Sequence, residues 1–576
     1  MAARRPGLPR PALIPAILTA LVLVAQAATA GAWTSPAADD LPRLLEHVRE
    51  HGPVAPAREA DARTVDWSTL RRLALLGGEF LPPYRPVSDG EISAIVRCVE
   101  RRGGPGLVRA GTRRQLAALL ARHGTARAPW TAETCSCRTP QWRFAAEGRA
   151  SLRHLGPGEV VPGEAGLIGR GTLAVIEPDL SAWSGPLWLA ATTRLEWPLA
   201  DPDGTVPAAL TYTGWPVPTG RPAAGTARTT PPVTRLAVPR AALGLRSGGW
   251  AVTVGLFPAT VGSGLEGGGL TLADHAPSLP QLVVRRHRPL RWSSFLAPLA
   301  PAHVLVRTAA ASRQEVRYES PAGRQTHTAR PLFLQWLLTW NHTSWWRTSV
   351  IGTALAAPRR GESLWPDLLQ VAFPLLDATW NEVDYGPVTD RLVSLLMEAR
   401  WRDAPWPLLP AGAGRVWWEY GGEDFRPHGA LPLVPEISAP ASLVGLELVD
   451  ARWDLGVEYL DTRHPGVLWY GNSGFPAGYA HDGVLLGHEL GGGVRAWTGV
   501  VRWRTASGAT EWVLRGRTAR WADSSQLDAT ARRREVGLEV RRLLGAGRLR
   551  VGVARVDERT GGREDRWWQA HVTHRF

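Results

Sequence analysis

Two aromatic and acidic clusters in the last third of the chain carry the residue types that recognise sugars. The first is Trp417-Trp418-Glu419-Tyr420-Gly421-Gly422-Glu423-Asp424. The second is spread over Trp469-Tyr470-Gly471-Asn472, Gly478-Tyr479-Ala480-His481-Asp482-Gly483 and Gly487-His488-Glu489-Leu490. Trp and Tyr faces stack on sugar rings, while Asn, Asp, Glu and His hydrogen-bond hydroxyls. The candidate ligand-binding residues are Trp417, Trp418, Glu419, Tyr420, Glu423, Asp424, Trp469, Tyr470, Asn472, Tyr479, His481, His488 and Glu489. Paired acids beside aromatics also hydrolyse glycosides. Adjacent residues on one strand point to opposite faces, however, so the spacing sets no carboxylate separation. Arginine pairing, turns or an interfacial aromatic girdle account for the same residues without any ligand.

Other catalytic spacings fail. His47-Val48-Arg49-Glu50-His51 fits H-x-x-E-H, an inverted zinc-protease pattern. It ends a short helix at Gly52, where histidines interact favourably with the helix dipole. His488-Glu489 has no second His four residues on, and Gly471-Asn472-Ser473-Gly474 places its second Gly one residue early for a nucleophile elbow. The glycine run 264–269 lacks the Lys of a phosphate loop. No catalytic residue, metal site or cofactor is assigned.

The elements that must position the clusters are strands. Trp453, Leu455, Val457 and Tyr459 alternate with Arg452, Asp454, Gly456 and Glu458. Trp497, Val501 and Trp503 alternate with Thr498, Arg502 and Arg504, and Val536, Leu538 and Val540 with Glu535, Glu539 and Arg541. Soluble sandwiches also alternate. Segments of nine to eleven residues with aromatics at their ends match a membrane barrel with interfacial girdles. Counting back from Phe576 predicts strands near 566–576, 548–556, 533–543, 511–521, 494–504, 452–460, 441–449, 414–420 and 391–402. Their connections alternate between short and long, as periplasmic turns and outer loops do, with the longer, Pro-rich Asp403 to Ala413 as the exception among the short ones. The segments 421–440 and 461–493 read as long outer loops, and the Pro-, Ala- and Thr-rich 216–240 as another. Extension to residue 140 gives a barrel in the high teens or about 20 strands, wide enough for a polar lumen rather than a packed core.

The N-terminal part reads differently. Arg4, Arg5 and Arg10, an apolar run from Ala12 to Ala25 and Ala28-Thr29-Ala30 form a secretory signal peptide over 1–30. Residues 31–130 read as a periplasmic helical bundle. Ser88-Asp89-Gly90-Glu91 is a capping box that opens a helix with Ile92, Ile95, Val96 and Val99 on one face. A further helix runs near 113–123. Cys98 could bridge to Cys135 or Cys137 in an oxidising compartment, or all three stay thiols. The chain has 66 basic residues against 52 acids, a net charge of +14. All 66 are Arg, which reads as coding bias; no nucleic-acid motif accompanies the charge. The 44% hydrophobic content and 28 Trp exclude disorder.

Four stretches resemble the capsule-assembly Wzi family of outer-membrane proteins: Leu70 to Val96; Gly249 to Val284; Trp417 to Asp424 with Gly445-Leu446-Glu447; and Glu458-Tyr459-Leu460-Asp461-Thr462 through Gly487-His488-Glu489-Leu490-Gly491. Val261-Gly262-Ser263-Gly264 and His275-Ala276-Pro277 depart from the family pattern. The resemblance implies a mainly β fold: an 18-stranded outer-membrane barrel over 131–576, preceded by the helical bundle. It also implies a lectin-like role with capsular or other exported polysaccharide, with outer-membrane lipids around the barrel and the polysaccharide export machinery as a further partner. The alternatives carried from the residues are an anion-selective porin, favoured by an Arg-rich lumen, and an outer-membrane enzyme, for which no nucleophile–base spacing exists.

Overall fold

The computed structural model describes residues 59–60, 67–78, 80–85, 87–88, 92, 95–99 and 115–117 of the N-terminal part. From 143 to 575 it describes all but 156–170, 185, 201–234, 248, 266–267, 274–275, 287–289, 291–299, 321–322, 365–386, 403–411, 428–434, 451, 466, 472–473, 477, 482–483, 522–530, 545–546 and 561–562. The signal-peptide segment, His47–His51, Asn472, Cys135 and Cys137 lie outside the described residues.

Eighteen antiparallel strands close into one barrel. They are β1 (Arg143–Leu155), β2 (Gly171–Ser184), β3 (Leu187–Ala200), β4 (Arg235–Ser247), β5 (Trp250–Phe257) and β6 (Leu279–Arg286). There follow β7 (His303–Ala310), β8 (Leu332–Asn341), β9 (Trp346–Ala357), β10 (Val388–Arg402), β11 (Ala413–Pro427) and β12 (Pro435–Val449). The last six are β13 (Trp453–Asp461), β14 (Val494–Arg504), β15 (Thr510–Trp521), β16 (Ala531–Leu544), β17 (Gly547–Thr560) and β18 (Arg563–Arg575). Each pairs with its sequence neighbours, and β18 closes on β1 from Ala570↔His154 to Arg575↔Arg149. Every strand predicted between 391 and 576 is present, and most run longer at their outer ends.

The period-2 pattern decides which side faces out. Leu455, Val457, Trp497, Val501, Trp503, Trp512, Leu514, Val536 and Leu538 are exposed on the outer wall. Their alternates Asp454, Glu458, Arg502, Arg504 and Glu511 are buried inside. A closed barrel with an apolar outer band satisfies every backbone group in lipid, which an open sheet cannot. The chain is an outer-membrane barrel. Among the described residues no helix is long and apolar enough to cross a membrane.

Three expectations are corrected. The segment 421–440 is largely strand: β11 continues to Pro427 and β12 begins at Pro435, with register shifts at Gly422/Glu423 and Glu423/Arg426. Its glycines and prolines mark this irregularity in the ladder rather than a long loop. Likewise 235–240 belongs to β4, not to a loop. The lumen, expected to be polar, holds a packed apolar cluster. Val261, Leu265, Leu270, Leu272, Phe475, Leu485 and Leu486 from inserted loops pack on Phe333, Leu337, Leu396, Leu443 and Leu460 of the wall.

The lumen is filled from both ends. At the end of the ring where Ala413 and Val449 lie, helix α1 (Trp67–Gly77) is buried nearly all round. Its Leu70, Leu73 and Ala74 pack on Ile92, Ile95, Val96, Val99 and Leu116. Leu75 and Leu76 pack on Ala413 and Val449 at the lower rim. The helix ends at Gly78, whose φ of 66° suits a C-terminal cap and whose N–H donates to Leu75 O at 2.9 Å. From the outer side the segment 258–278 descends into the barrel. The two meet where Tyr84↔Val261 and Arg85↔Thr260 pair as a short antiparallel ladder.

Candidate functional site

The first aromatic–acidic cluster lies along β11, and alternation splits it. Arg415, Trp417, Glu419, Gly421 and Glu423 point inward and are buried, whereas Trp418 is exposed on the outer wall. Tyr420 lies on that outer side, its ring 5.7 Å from Trp418. The side chain of Asp424 lies outside the described residues. The Arg415 guanidinium sits over the Trp417 ring at 4.1 Å. Trp417 in turn covers Gly445 on β12, where a Cβ would lie 1.9 Å from the indole.

The inward carboxylates hold the descending segment. Glu419 Oε1 accepts the Leu270 N–H at 3.1 Å and the Ser394 hydroxyl at 2.8 Å. Glu458 of β13 accepts the Leu265 N–H at 2.6 Å. Close backbone approach there requires glycine. A Cβ on Gly262, which has a φ of 121°, would meet Gly269 Cα at 2.4 Å. Glu419 Oε2 would lie 2.5 Å from a Cβ on Gly269. The glycine run that fails as a phosphate loop is thus what lets this segment fold flat against carboxylates.

The second cluster folds over the same segment. Trp469 donates its indole N–H to Ala439 O at 2.7 Å. Tyr470, with a φ of 67°, donates its N–H to Glu423 and its hydroxyl to Leu270 O, the latter at 2.6 Å. Tyr479 donates its hydroxyl to Thr271 O at 3.0 Å and stacks on Tyr470 with ring centroids 6.1 Å apart. The Tyr470 hydroxyl accepts the His488 N–H at 3.1 Å. His481 Nδ1 accepts the Ser312 N–H at 2.8 Å, and Glu489 pairs with Arg517. Burial pushes both Tyr470 and Tyr479 well above the ordinary phenol range, because the phenolate would be desolvated. The two sequence clusters therefore form one constellation. Its members are turned inward onto the 258–278 segment, and Trp418 and Tyr420 are turned outward to the bilayer side.

Below it lies an ion-pair network that residue spacing did not reveal. Glu447 receives Arg71 at 2.7 Å, Arg415 at 2.9 Å and Arg502 at 3.7 Å. Asp454 receives Arg72 at 3.3 Å and Arg504 at 2.5 Å. Arg347 bridges Glu398 at 2.9 Å and the Leu81 carbonyl. Desolvation lowers the Arg72 pKa to about 10, an effect that its carboxylate partners only partly offset. The alternating acids and bases were legible as an inward face. That the helix would supply Arg71 and Arg72 to it was not, since sequence separations of several hundred residues carry no local signal.

The outer mouth is topped by a hairpin of Gln314–Ser320 and Gly323–Ala329. Val316 is buried beneath it, and the Arg317 N–H donates to Gly474 O at 2.8 Å. Its upper face exposes Glu315, Arg317, Glu319, Arg324, Thr326 and Thr328. Beside it Arg359 lies 5.4 Å over the Tyr318 ring. Among the described residues no group of His, Cys, Asp or Glu side chains is placed to hold a metal ion.

No protein-family model and no curated protein matches the chain. Among solved structures it is similar to Wzi of Escherichia coli, described as an outer-membrane protein involved in group 1 capsule assembly and a carbohydrate-binding β-barrel. The TM-score is 0.56 at 14% identity, over 89% of this chain and 98% of that one. The porin-type barrels OccK5 of Pseudomonas aeruginosa and OccAB2 of Acinetobacter baumannii follow at TM-scores of 0.42 and 0.43. They are 9% and 8% identical over 76% of this chain, and the matches span 97% and 98% of their own lengths. The chain thus has the Wzi-type fold, and the weaker porin likenesses carry no functional weight.

Proposed function

We propose that this barrel, built on the Wzi-type fold, is a lectin-like surface protein that holds exported polysaccharide at the outer face of the cell. The observation that carries this reading is the filled lumen. Helix α1 and the 258–278 segment meet inside the ring and are fixed by buried ion pairs and apolar packing. Such a lumen favours a surface role over conduction. The likeness to a carbohydrate-binding barrel supports the same reading.

In this reading the buried Trp417, Glu419, Glu423, Trp469, Tyr470, Tyr479 and His488 are positioning residues. They fix the 462–493 loop and the 258–278 segment against the wall. Contact with polymer falls to the exposed upper face of the 314–329 hairpin and the outer surface of the 462–493 loop. Many weak contacts to a repeating polymer sum through avidity. Exposed Arg side chains there would attract an acidic chain in a salt-sensitive way. No catalytic role is part of this reading, since Glu419 and Glu423 each hold a backbone N–H of a different inserted segment.

The test is a deletion strain, with polysaccharide quantified on washed cells and in the medium. Polymer made at the parental level but shed into the medium is the expected result. An unchanged partition, together with steady single-channel conductance of the purified protein in a planar bilayer, would replace this reading with the porin one.

A further inference from the structure

Four arginines stand side by side on the outside of the barrel. Arg495 of β14 is directly opposite Arg520 of β15, Arg520 is opposite Arg532 of β16, and Arg532 is opposite Arg559 of β17. All four are exposed. They share the outward face with Trp497, Leu514, Val536 and Val553, so they belong to the lipid side rather than the lumen. They sit at the outer ends of their strands, because the short turns 505–509 and 545–546 join the opposite ends. A second row lies one step toward the membrane: Arg534, opposite Asp557, which is in turn opposite Arg566.

Like charges directly opposite on a sheet repel, and a row of four concentrates that repulsion. Arg495 shares Asp461 with Arg463, at 3.2 Å and 2.9 Å. Among the described residues Arg520, Arg532 and Arg559 have no acidic partner, whereas Arg566 is paired with Glu564 and Asp557. Inside the lumen, by contrast, Arg71, Arg415 and Arg504 each sit against a buried carboxylate. Such a row at the boundary between the apolar band and the outside presents concentrated positive charge to an anion from outside the chain. Guanidinium groups recognise phosphate with paired N–H donors.

The structure assigns this row as a binding site for the phosphorylated headgroup of a saccharide lipid in the outer leaflet, with acyl chains lying down the apolar wall below Trp497, Leu514 and Val536. The site is independent of the polysaccharide reading and lies on a different surface.

The test uses the full-length protein in detergent micelles, titrated with bis-phosphorylated lipid A, dephosphorylated lipid A, inorganic phosphate and alginate as a phosphate-free polyanion. Binding is read by native mass spectrometry, and folding by heat-modifiable gel mobility. Bis-phosphorylated lipid A is expected to bind. The triple variant Arg520→Ser, Arg532→Ser, Arg559→Ser and the dephosphorylated lipid should each weaken binding by about tenfold or more. The matching triple Arg→Lys variant keeps the charge but loses the paired N–H donors, so it should bind more weakly than the parent and more tightly than the serine triple. Arg542→Ser, at the opposite end of β16, is the control and should bind as the parent does. If the serine triple fails the mobility test, the single Arg532→Ser takes its place. Equal binding by parent and serine variants, or by the two lipids, would overturn the assignment. So would displacement of the lipid by millimolar phosphate, which would make the row a free-anion site. Alginate binding that is lost in the serine variants would make it a glycan site instead.

Discussion

Glu419 and Glu447 are both buried carboxylates on the inner wall, and they differ in what surrounds them. Glu447 is surrounded by Arg71, Arg415 and Arg502. Among the described residues Glu419 has no cation against it, and it serves as an acceptor for Leu270 N–H and the Ser394 hydroxyl. Removing one partner of a buried charge cluster leaves uncompensated charge, at a cost of about 3–5 kcal/mol. Glu447→Gln should therefore lower the urea midpoint of the folded barrel strongly. Glu419→Gln keeps an acceptor in place and should cost under about 1 kcal/mol. If the two variants shift the midpoint equally, the ion-pair account of the plug fails. The tyrosines give a pH signature. Burial raises Tyr470 and Tyr479 above the unfolded value near 10. Their neutral forms therefore favour the fold fully below about pH 10, and that contribution is lost as pH rises above it. A phenolate absorbance titration should show at least two of the eight tyrosines silent until the barrel unfolds. Ionisation of all eight before unfolding would contradict the buried geometry.

At the scale of elements, the descending segment and helix α1 depend on each other. Gly262→Val would place a side chain against Gly269 Cα at a φ of 121°. Loss of this fit should free the 258–278 segment while leaving the wall intact. The expected outcome is a barrel with parental heat-modifiable mobility and new conductance in a planar bilayer; a silent bilayer would mean that α1 seals the ring alone. The wall was legible because side-chain alternation is a local property: Trp453-to-Tyr459 and Trp497-to-Trp503 announce their faces within a few residues. The plug was not. Val261, Leu265, Leu270 and Leu272 lie in a segment with neither a strand nor a helix period, and their burial depends on partners such as Tyr84 and Leu443 far away in sequence. For the same reason Trp417 with Glu419, and Tyr470 with Tyr479, read from the sequence as two candidate clusters, and no local signal told that they meet facing the interior. Outer loops that fold back into a barrel look, residue by residue, like loops that stay outside.

Over the whole molecule the strands differ in length, and that difference has a geometric consequence. β10, β11 and β12 each have 15 residues, whereas β5, β6 and β7 have 8. At a rise of about 3.3 Å per residue and a tilt of about 40°, the long strands stand ~38 Å high and the short ones ~20 Å. The apolar band they must cross is about 25 Å tall. One side of the ring therefore overshoots the bilayer by more than 10 Å, and the other falls short of its thickness. The low stretch is local, since β4 beside it has 13 residues and β9 has 12. Lipid beside the low wall must thin or the barrel must lean toward it, each at a modest elastic cost. A long chain laid against the barrel thus meets a wall of uneven height, lowest at β5 to β7.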